Sequence, residues 1–325
     1  MTEPILSVEE LHVWFDLPRG GVLHAVQGVS LSVDRAERFG LVGESGCGKT
    51  TTILAVMGLL PPNATVSGRV LLDGEDILAE GERSVRPHRW VDISMIFQGA
   101  MNALNPVQTI GAQIVEPMEL HGYATGNEAR ERAGALLELV GIPRDRLDRF
   151  PHEFSGGMRQ RAAIAMALAC EPHVLLADEP TTALDVMVQA QILGLLERLS
   201  EELGLTVILV THDLPLVAQV CHRAAVMYGG TLAETGRMDA LFHDPRHPYT
   251  RMLFSAVPDP TGESEVISIP GAPPRLDRPI RGCPFEPRCD RAFEPCASVP
   301  PSRVSLADGH EASCHLNDPA LTETS

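Results

Sequence analysis

The stretch Gly43-Glu44-Ser45-Gly46-Cys47-Gly48-Lys49-Thr50 constrains this chain more than any other. It reads G-x-x-x-x-G-K-T, following the apolar run Phe39-Gly40-Leu41-Val42 and preceding Thr51-Thr52-Ile53-Leu54-Ala55-Val56-Met57, so it predicts a strand, a glycine loop and a helix in that order. Glycines let successive backbone N–H groups converge on phosphate oxygens, and the helix start adds open N–H groups and the positive end of its dipole. In such a loop Lys49 is placed to neutralise the β- and γ-phosphates, and the Thr50 hydroxyl to reach Mg²⁺.

Composition strengthens this reading. Of 26 Lys+Arg, Lys49 is the one lysine. A single randomly placed lysine would land in this motif on the order of one time in a thousand. A compact ammonium fits a tight loop in a way a planar guanidinium does not, which explains why this cation is not arginine.

At 325 residues the chain allows two domains with a buried core. Hydrophobic content of 44% with 21% charged residues predicts a globular chain, and runs such as Val207-Ile208-Leu209-Val210 fall short of the ~20 residues a membrane span needs. No apolar segment follows a basic N-terminus, so no export signal is expected. The net charge of −17 argues against a nucleic-acid partner.

Residues 5 to 15 and 22 to 33 alternate as half-buried antiparallel strands do, with Pro18-Arg19-Gly20-Gly21 as the turn. Phe15 closes the first strand and can offer a ring face to a base. Val66 to Leu72 reads as a strand ending at Asp73-Gly74, and Ile93 to Phe97 as another that delivers Gln98. Residues 109 to 141 look helical, with Thr125 and Glu128 as a capping box. This stretch interrupts the strand-helix alternation and is expected to be an inserted helical subdomain. Ser155 is a natural N-cap for the helix after Phe154-Ser155-Gly156-Gly157-Met158-Arg159-Gln160-Arg161, a second helix terminus open to an anion. Val174 to Ala177 predicts a buried strand ending in Asp178 and Glu179, one carboxylate for the Mg²⁺ shell and one to polarise water. Asp185 opens an amphipathic helix through Leu203, and the strand from Thr206 to Val210 delivers His212 to a strand end, where ligands bind in open α/β sheets.

These pieces, in this order, resemble the ATP-binding subunit of ABC transporters, with the oligopeptide/dipeptide importer group as the nearest match, over about Ile5 to Leu316. The resemblance implies an α/β fold with a RecA-like core sheet, an antiparallel β subdomain and an inserted helical signature subdomain at about 99–170. It implies a nucleotide-binding domain over 1–257 and a small cysteine-rich module over 258–325. Phe15 resembles the adenine-stacking aromatic, Gly43 to Thr50 the Walker A loop with Thr51 after it, and Gln98 the Q-loop glutamine. Ser155-Gly156-Gly157 resembles the signature motif, Asp178 and Glu179 the Walker B pair, Asp185 the D-loop and His212 the switch histidine. Met158 stands as in the peptide-importer group, whereas Gly99-Ala100 replaces a common Asp-Pro.

The resemblance further implies Mg²⁺ held by Thr50, Gln98 and Asp178, hydrolysis of ATP with Glu179, His212 and Lys49 as catalytic residues, and two such domains enclosing two ATP molecules head to tail. Implied partners are a second ATPase subunit, usually a paralogue, two membrane-spanning permeases and an external binding protein, at the cytoplasmic face of the membrane. Nickel or another small solute is the alternative cargo. Outside this class stand a soluble ABC-type ATPase acting on nucleic acid or ribosomes, expected to be basic or to pair two cassettes in one chain, and an iron-sulfur regulator with a vestigial ATPase.

Proline density rises from Pro258 to Pro287, predicting extended chain leading to a separate module with Cys283, Cys289, Cys296 and Cys314. Their spacing supports a four-thiolate metal site without naming the metal: it is wider than common zinc pairs and matches neither common ferredoxin run. Disulfides are not expected in a reducing compartment. The importer resemblance implies a 4Fe-4S cluster, with zinc as the alternative.

Overall fold

The computed structural model describes residues 3–100, 103–255 and 269–322. Part of the proline-rich stretch, and the expected boundary between residues 257 and 258, lie outside the described residues. Strands β1 (Leu6–Asp16) and β2 (Val22–Val33) pair antiparallel as their alternation predicts, because Leu6, Val8, Leu11 and Val13 turn inward. Strand β3 (Arg38–Val42), buried throughout, runs into the glycine loop and helix α1 (Lys49–Val56). Strands β4 (Ala64–Leu72) and β5 (Glu75–Asp76) follow, then α2 (Glu82–Val85) and β6 (Ile93–Ile96). The helices α3 (Ile110–Leu120), α4 (Gly126–Leu139) and α5 (Gly156–Ala167) come next. After them run β7 (Val174–Asp178), α6 (Val186–Leu203), β8 (Thr206–Thr211) and α7 (Leu214–Val220). Strands β9 (Arg223–Tyr228) and β10 (Thr231–Arg237) lead to α8 (Met238–His243) and α9 (Pro248–Ser255). The C-terminal residues add β11 (Val304–Ser305), β12 (Glu311–Ala312) and α10 (Pro319–Thr322).

By packing the chain forms two units: Met1–Asp34 with Phe39–Ala79 and Thr211–Ser325, and Arg35–Arg38 with Glu80–Val210. The first holds an antiparallel sheet in the order β2-β1-β4-β5 and a strand run β11-β12-β10-β9-β3. Within that run β3 and β9 are parallel, Gly40 opposite Ala224 and Val42 opposite Val226. Helix α7 lies so close to β3 that a Cβ on Gly40 would stand 2.5 Å from Val217 Cγ1. The cysteine-bearing residues, expected as a module of their own, fall within this first unit: β12 extends the run, its Ala312 opposite Glu234 of β10.

The second unit holds the parallel run β8-β7-β6, with Leu176 paired to Met95 and to Ile208. These strands are buried at every position, as parallel strands covered on both faces are. Helix α6 starts where Asp185 accepts from Val188 N at 3.0 Å and stops at Gly204, whose φ of 64° needs no Cβ penalty. Its Ile192, Leu195, Leu196 and Leu199 form the buried stripe that the helical period predicts. Helices α3, α4 and α5 pack on one another in this unit.

The expected capping box at Thr125 does not form. Thr125 sits at the N-cap in an extended conformation but makes no side-chain cap bond. Glu128 turns instead to Arg132, four residues on at 3.3 Å, and Gly126 N donates to Glu119 Oε1 at 3.3 Å. Among the described residues no helix is long and apolar enough to cross a membrane.

Candidate functional site

In the first unit, strand β3 delivers the glycine loop against the end of β9. Gly43 adopts φ 148°, and a Cβ there would stand 2.2 Å from Met227 O and 2.9 Å from Cys47 Sγ. Gly48, at φ 109°, presses against Ala25 O and Met227 Cε in the same way, whereas Gly46, at φ 78°, faces open space. The loop is therefore closed on its protein side and open on the other. Lys49 is 6% exposed, and its Nζ donates to Gly43 O at 2.7 Å and Glu44 O at 3.0 Å. Helix α1 starts at Gly48 with no side-chain cap and no acidic residue in its first turn, so the positive end of its dipole is not offset there. Burial pushes the Cys47 thiol above its ordinary pKa, with Lys49 opposing the rise.

Tyr249 and Arg288 reach this loop from far along the chain. The Tyr249 hydroxyl oxygen accepts from Glu44 N at 2.9 Å. Arg288 grips the Glu44 carboxylate with both terminal nitrogens, Nη1 to Oε2 at 2.7 Å and Nη2 to Oε1 at 3.0 Å. No periodicity or motif marks either residue, and sequence reasoning missed both. Phe15, half-buried near the end of β1, pairs with Leu23 and Ala64, and His212 follows β8 just before Asp213, which caps α7 by accepting from Leu216 N.

In the second unit, β6 and β7 run parallel and carry Gln98 and Glu179 to the same end. Gln98 Nε2 donates to Glu179 Oε2 at 2.8 Å, and Thr182 Oγ1 donates to the same oxygen at 3.0 Å. Thr182 carries no sequence signal of its own beyond standing three residues after Glu179. Glu179 has φ 44°, a left-handed backbone uncommon for a residue with a Cβ and found at constrained functional positions. Asp178, at the end of β7, is 1% exposed. Ser155 caps α5 as expected, its Oγ accepting from Met158 N at 3.3 Å. A Cβ on Gly157 would stand 2.8 Å from Val188 Cγ1, so the glycine-rich start of α5 lies against the first turn of α6, just after Asp185.

None of the seven cysteines is in a disulfide. Burial pushes Cys283 and Cys314 up to about 11, with the neighbouring cysteines adding to the rise. Cys283 feels Cys296 and Cys289, and Cys314 feels all three of the others, so the four thiols share one neighbourhood. They are not drawn into a ligand cage: among the described residues no group of three or more His, Cys, Asp or Glu side chains is arranged to hold a metal ion. The donor set fits a thiophilic metal in number and kind.

A buried strand, a glycine loop closed on one side and a helix opening on the only lysine define a P-loop nucleotide-binding protein of the α/β class. A family model described as ABC transporter matches residues 26–182, and one described as oligopeptide/dipeptide transporter, C-terminal region, matches 233–296. The dipeptide transport ATP-binding protein DppD of Bacillus subtilis is 47% identical, covering 97% of this chain and 96% of its own. The oligopeptide transport ATP-binding protein OppD of Escherichia coli is 46% identical over 92% of this chain and 89% of its own. The solved cbiO1 of Clostridium perfringens, part of an ABC transporter complex, superposes with a TM-score of 0.63 at 31% identity, covering 75% of this chain and 92% of that one. The chain belongs to the ABC transporter ATP-binding proteins of the dipeptide and oligopeptide type. It has their ATPase fold and is an ATP-binding subunit with ATPase activity.

Proposed function

We propose that this subunit drives uptake of di- or oligopeptides, binding Mg-ATP at Gly43 to Thr50 and hydrolysing it with Glu179. The observation that carries the reading is the buried ammonium of Lys49, held by Gly43 O and Glu44 O inside a loop that only glycines can shape. Phosphate oxygens compete well for such an ammonium, because they carry full charge where the carbonyls carry a dipole. In-line attack of water on the γ-phosphate needs a base, and Glu179 takes that role. Gln98 and Thr182 orient its carboxylate through the bonds at Oε2. Phe15 stacks on adenine, and His212 holds the γ-phosphate. Ser155, Gly156 and Gly157 offer the start of α5 to ATP held by a second ATPase subunit, with Asp185 beside them, so that one chain forms half of each site.

Thr50, Asp178 and Gln98 are assigned to Mg²⁺, a hydroxyl, a carboxylate and an amide oxygen that suit a hard cation. Gln98 spends its amide nitrogen on Glu179, which leaves the amide oxygen as its ligand atom. The bound cation offsets phosphate charge. Partners are a second, paralogous ATPase subunit, two permeases and an external binding protein, with the chain at the cytoplasmic face of the membrane through the permeases. The test is uptake of a labelled tripeptide into liposomes holding the assembled transporter, with the binding protein outside. Uptake that needs internal ATP is expected. Transport of nickel but no peptide would refute the cargo, and peptide uptake without ATP would refute the motor.

For Cys283, Cys289, Cys296 and Cys314 the proposed group is a 4Fe-4S cluster, an electron-rich cofactor that four thiolates hold. Support comes from four neighbouring thiols, of which burial desolvates Cys283 and Cys314, with none of the four in a disulfide. Anaerobically purified protein is expected to be brown, with visible absorption lost in Cys289→Ser. Colourless wild-type protein carrying zinc would replace the cluster by the alternative metal.

A further inference from the structure

Arg288, in the first unit, is a cation engaged at every donor. Its side chain is 4% exposed and all five of its N–H groups have acceptors. Nε donates to Pro270 O at 2.7 Å, Nη1 to Glu44 Oε2 at 2.7 Å and Tyr228 Oη at 3.1 Å, and Nη2 to Glu44 Oε1 at 3.0 Å and Ile269 O at 3.3 Å. The guanidinium lies 5.7 Å from the Tyr228 ring centre and 5.9 Å from that of Phe285, and the Tyr228 and Tyr249 rings are 4.5 Å apart. The aromatic cluster and the guanidinium thus converge on one residue, Glu44.

Glu44 sits inside the phosphate loop and is held at three points. Arg288 binds its carboxylate, Tyr249 its amide, and Lys49 its carbonyl oxygen. A carboxylate is an unexpected neighbour for a triphosphate, since like charges repel most strongly where water is scarce. Arg288 cancels that charge. It also comes from the cysteine-bearing extension: the turn Glu286–Arg288 is tied to Cys283 O through Glu286 N and to Cys289 N through Glu286 O, and Cys283 N donates to Cys296 O at 2.8 Å.

We propose that Arg288 is a positioning residue for the phosphate loop: by neutralising and orienting Glu44 it sets the nucleotide affinity of Gly43 to Thr50, which makes the C-terminal extension a working part of the ATP site. This rests on the reading of that loop as the ATP site. A lysine at 288 keeps the charge but cannot span both Glu44 oxygens and three further acceptors. The extension therefore acts on ATP through one part-buried ion pair whose partners are 244 residues apart.

The test is equilibrium binding of a fluorescent ATP analogue, with magnesium, to the full-length chain. Arg288→Ala is expected to weaken binding on the order of tenfold, as loss of a part-buried charge partner beside the phosphates does. Arg288→Lys is expected to fall between that and wild type. The double variant Glu44→Gln with Arg288→Ala is expected to regain most of the loss, because the uncompensated carboxylate is gone. In the assembled transporter the Arg288→Ala defect should show in KM and leave kcat nearly intact. A double variant as weak as Arg288→Ala would reduce Arg288 to a packing residue, and wild-type affinity in Arg288→Ala would overturn the proposal outright. Should Arg288→Ala not fold, Arg288→Lys decides, with wild-type affinity overturning the proposal. Lys49→Ala separates the two readings: wild-type binding there refutes the loop as the ATP site, whereas lost binding there with intact binding in Arg288→Ala refutes Arg288 alone.

Discussion

Replacing Glu179 by glutamine separates chemistry from structure. The glutamine oxygen can accept the same two hydrogen bonds, from Gln98 at 2.8 Å and Thr182 at 3.0 Å, with the same chain length and volume. Each bond passes from charge-assisted to neutral at a half-buried position, a loss of about 0.5–1 kcal/mol apiece. The backbone at φ 44° is as strained for glutamine as for glutamate, so that contribution cancels. The summed loss is about 1–2 kcal/mol, or a melting shift of about 2–8 °C in a unit of this size. Removing a general base instead raises the barrier by about 3–5 kcal/mol, a rate loss of about 10²–10⁴. The assay is phosphate release by the assembled transporter at saturating Mg-ATP, beside nucleotide retention and a thermal melt of the same variant. A folded Glu179→Gln protein that retains ATP and loses turnover is expected. Turnover within about threefold of wild type would refute Glu179 as the base.

Two further outcomes follow from the loop and from the cluster behind it. Gly43→Ala should cost about 2–4 kcal/mol of local distortion, since its Cβ would meet a backbone carbonyl at 2.2 Å that cannot swing aside, and nucleotide binding should fall more than the melting temperature does; unchanged binding would refute the closed-side geometry. His247 is fully buried, and burial pushes its pKa down from 6.5 to about 4. The unfolded chain takes up this proton near pH 6.5 while the folded chain refuses it until about pH 4, so stability falls as pH drops through that window, by about 3 kcal/mol in total. His247→Asn, whose oxygen can still accept from Tyr249 N, should lose less stability than wild type between pH 7 and about 4.5 in urea titrations. Parallel losses would refute the assignment.

The local parts of this molecule were legible because their physics is local. Glycines beside Lys49, alternation in residues 5 to 15 and 22 to 33, and apolar runs ending in Asp178 and His212 each carry their own signal, and Ser155 and Asp185 cap helices as read. The box at Thr125 failed because an arginine at the right helical spacing offered Glu128 a better partner. Strands β9 and β10 went unread, though β9 supplies Met227, against which the loop is moulded. The hold of Arg288 and Tyr249 on Glu44 could not be read at all, since residues 244 and 205 positions apart leave no period or motif. Cysteine spacing pointed to a four-thiolate metal site; the four side chains share one neighbourhood, and among the described residues they do not form a group arranged to hold a metal ion.

The solitary lysine has a practical consequence. Apart from the N-terminal amine, an acylating reagent meets one primary amine in the whole chain, and that nitrogen is tucked between Gly43 O and Glu44 O with 6% of the residue exposed. Mass gained at Lys49 therefore reports on a single location, so the chain carries its own covalent gauge of whether the cradle is filled.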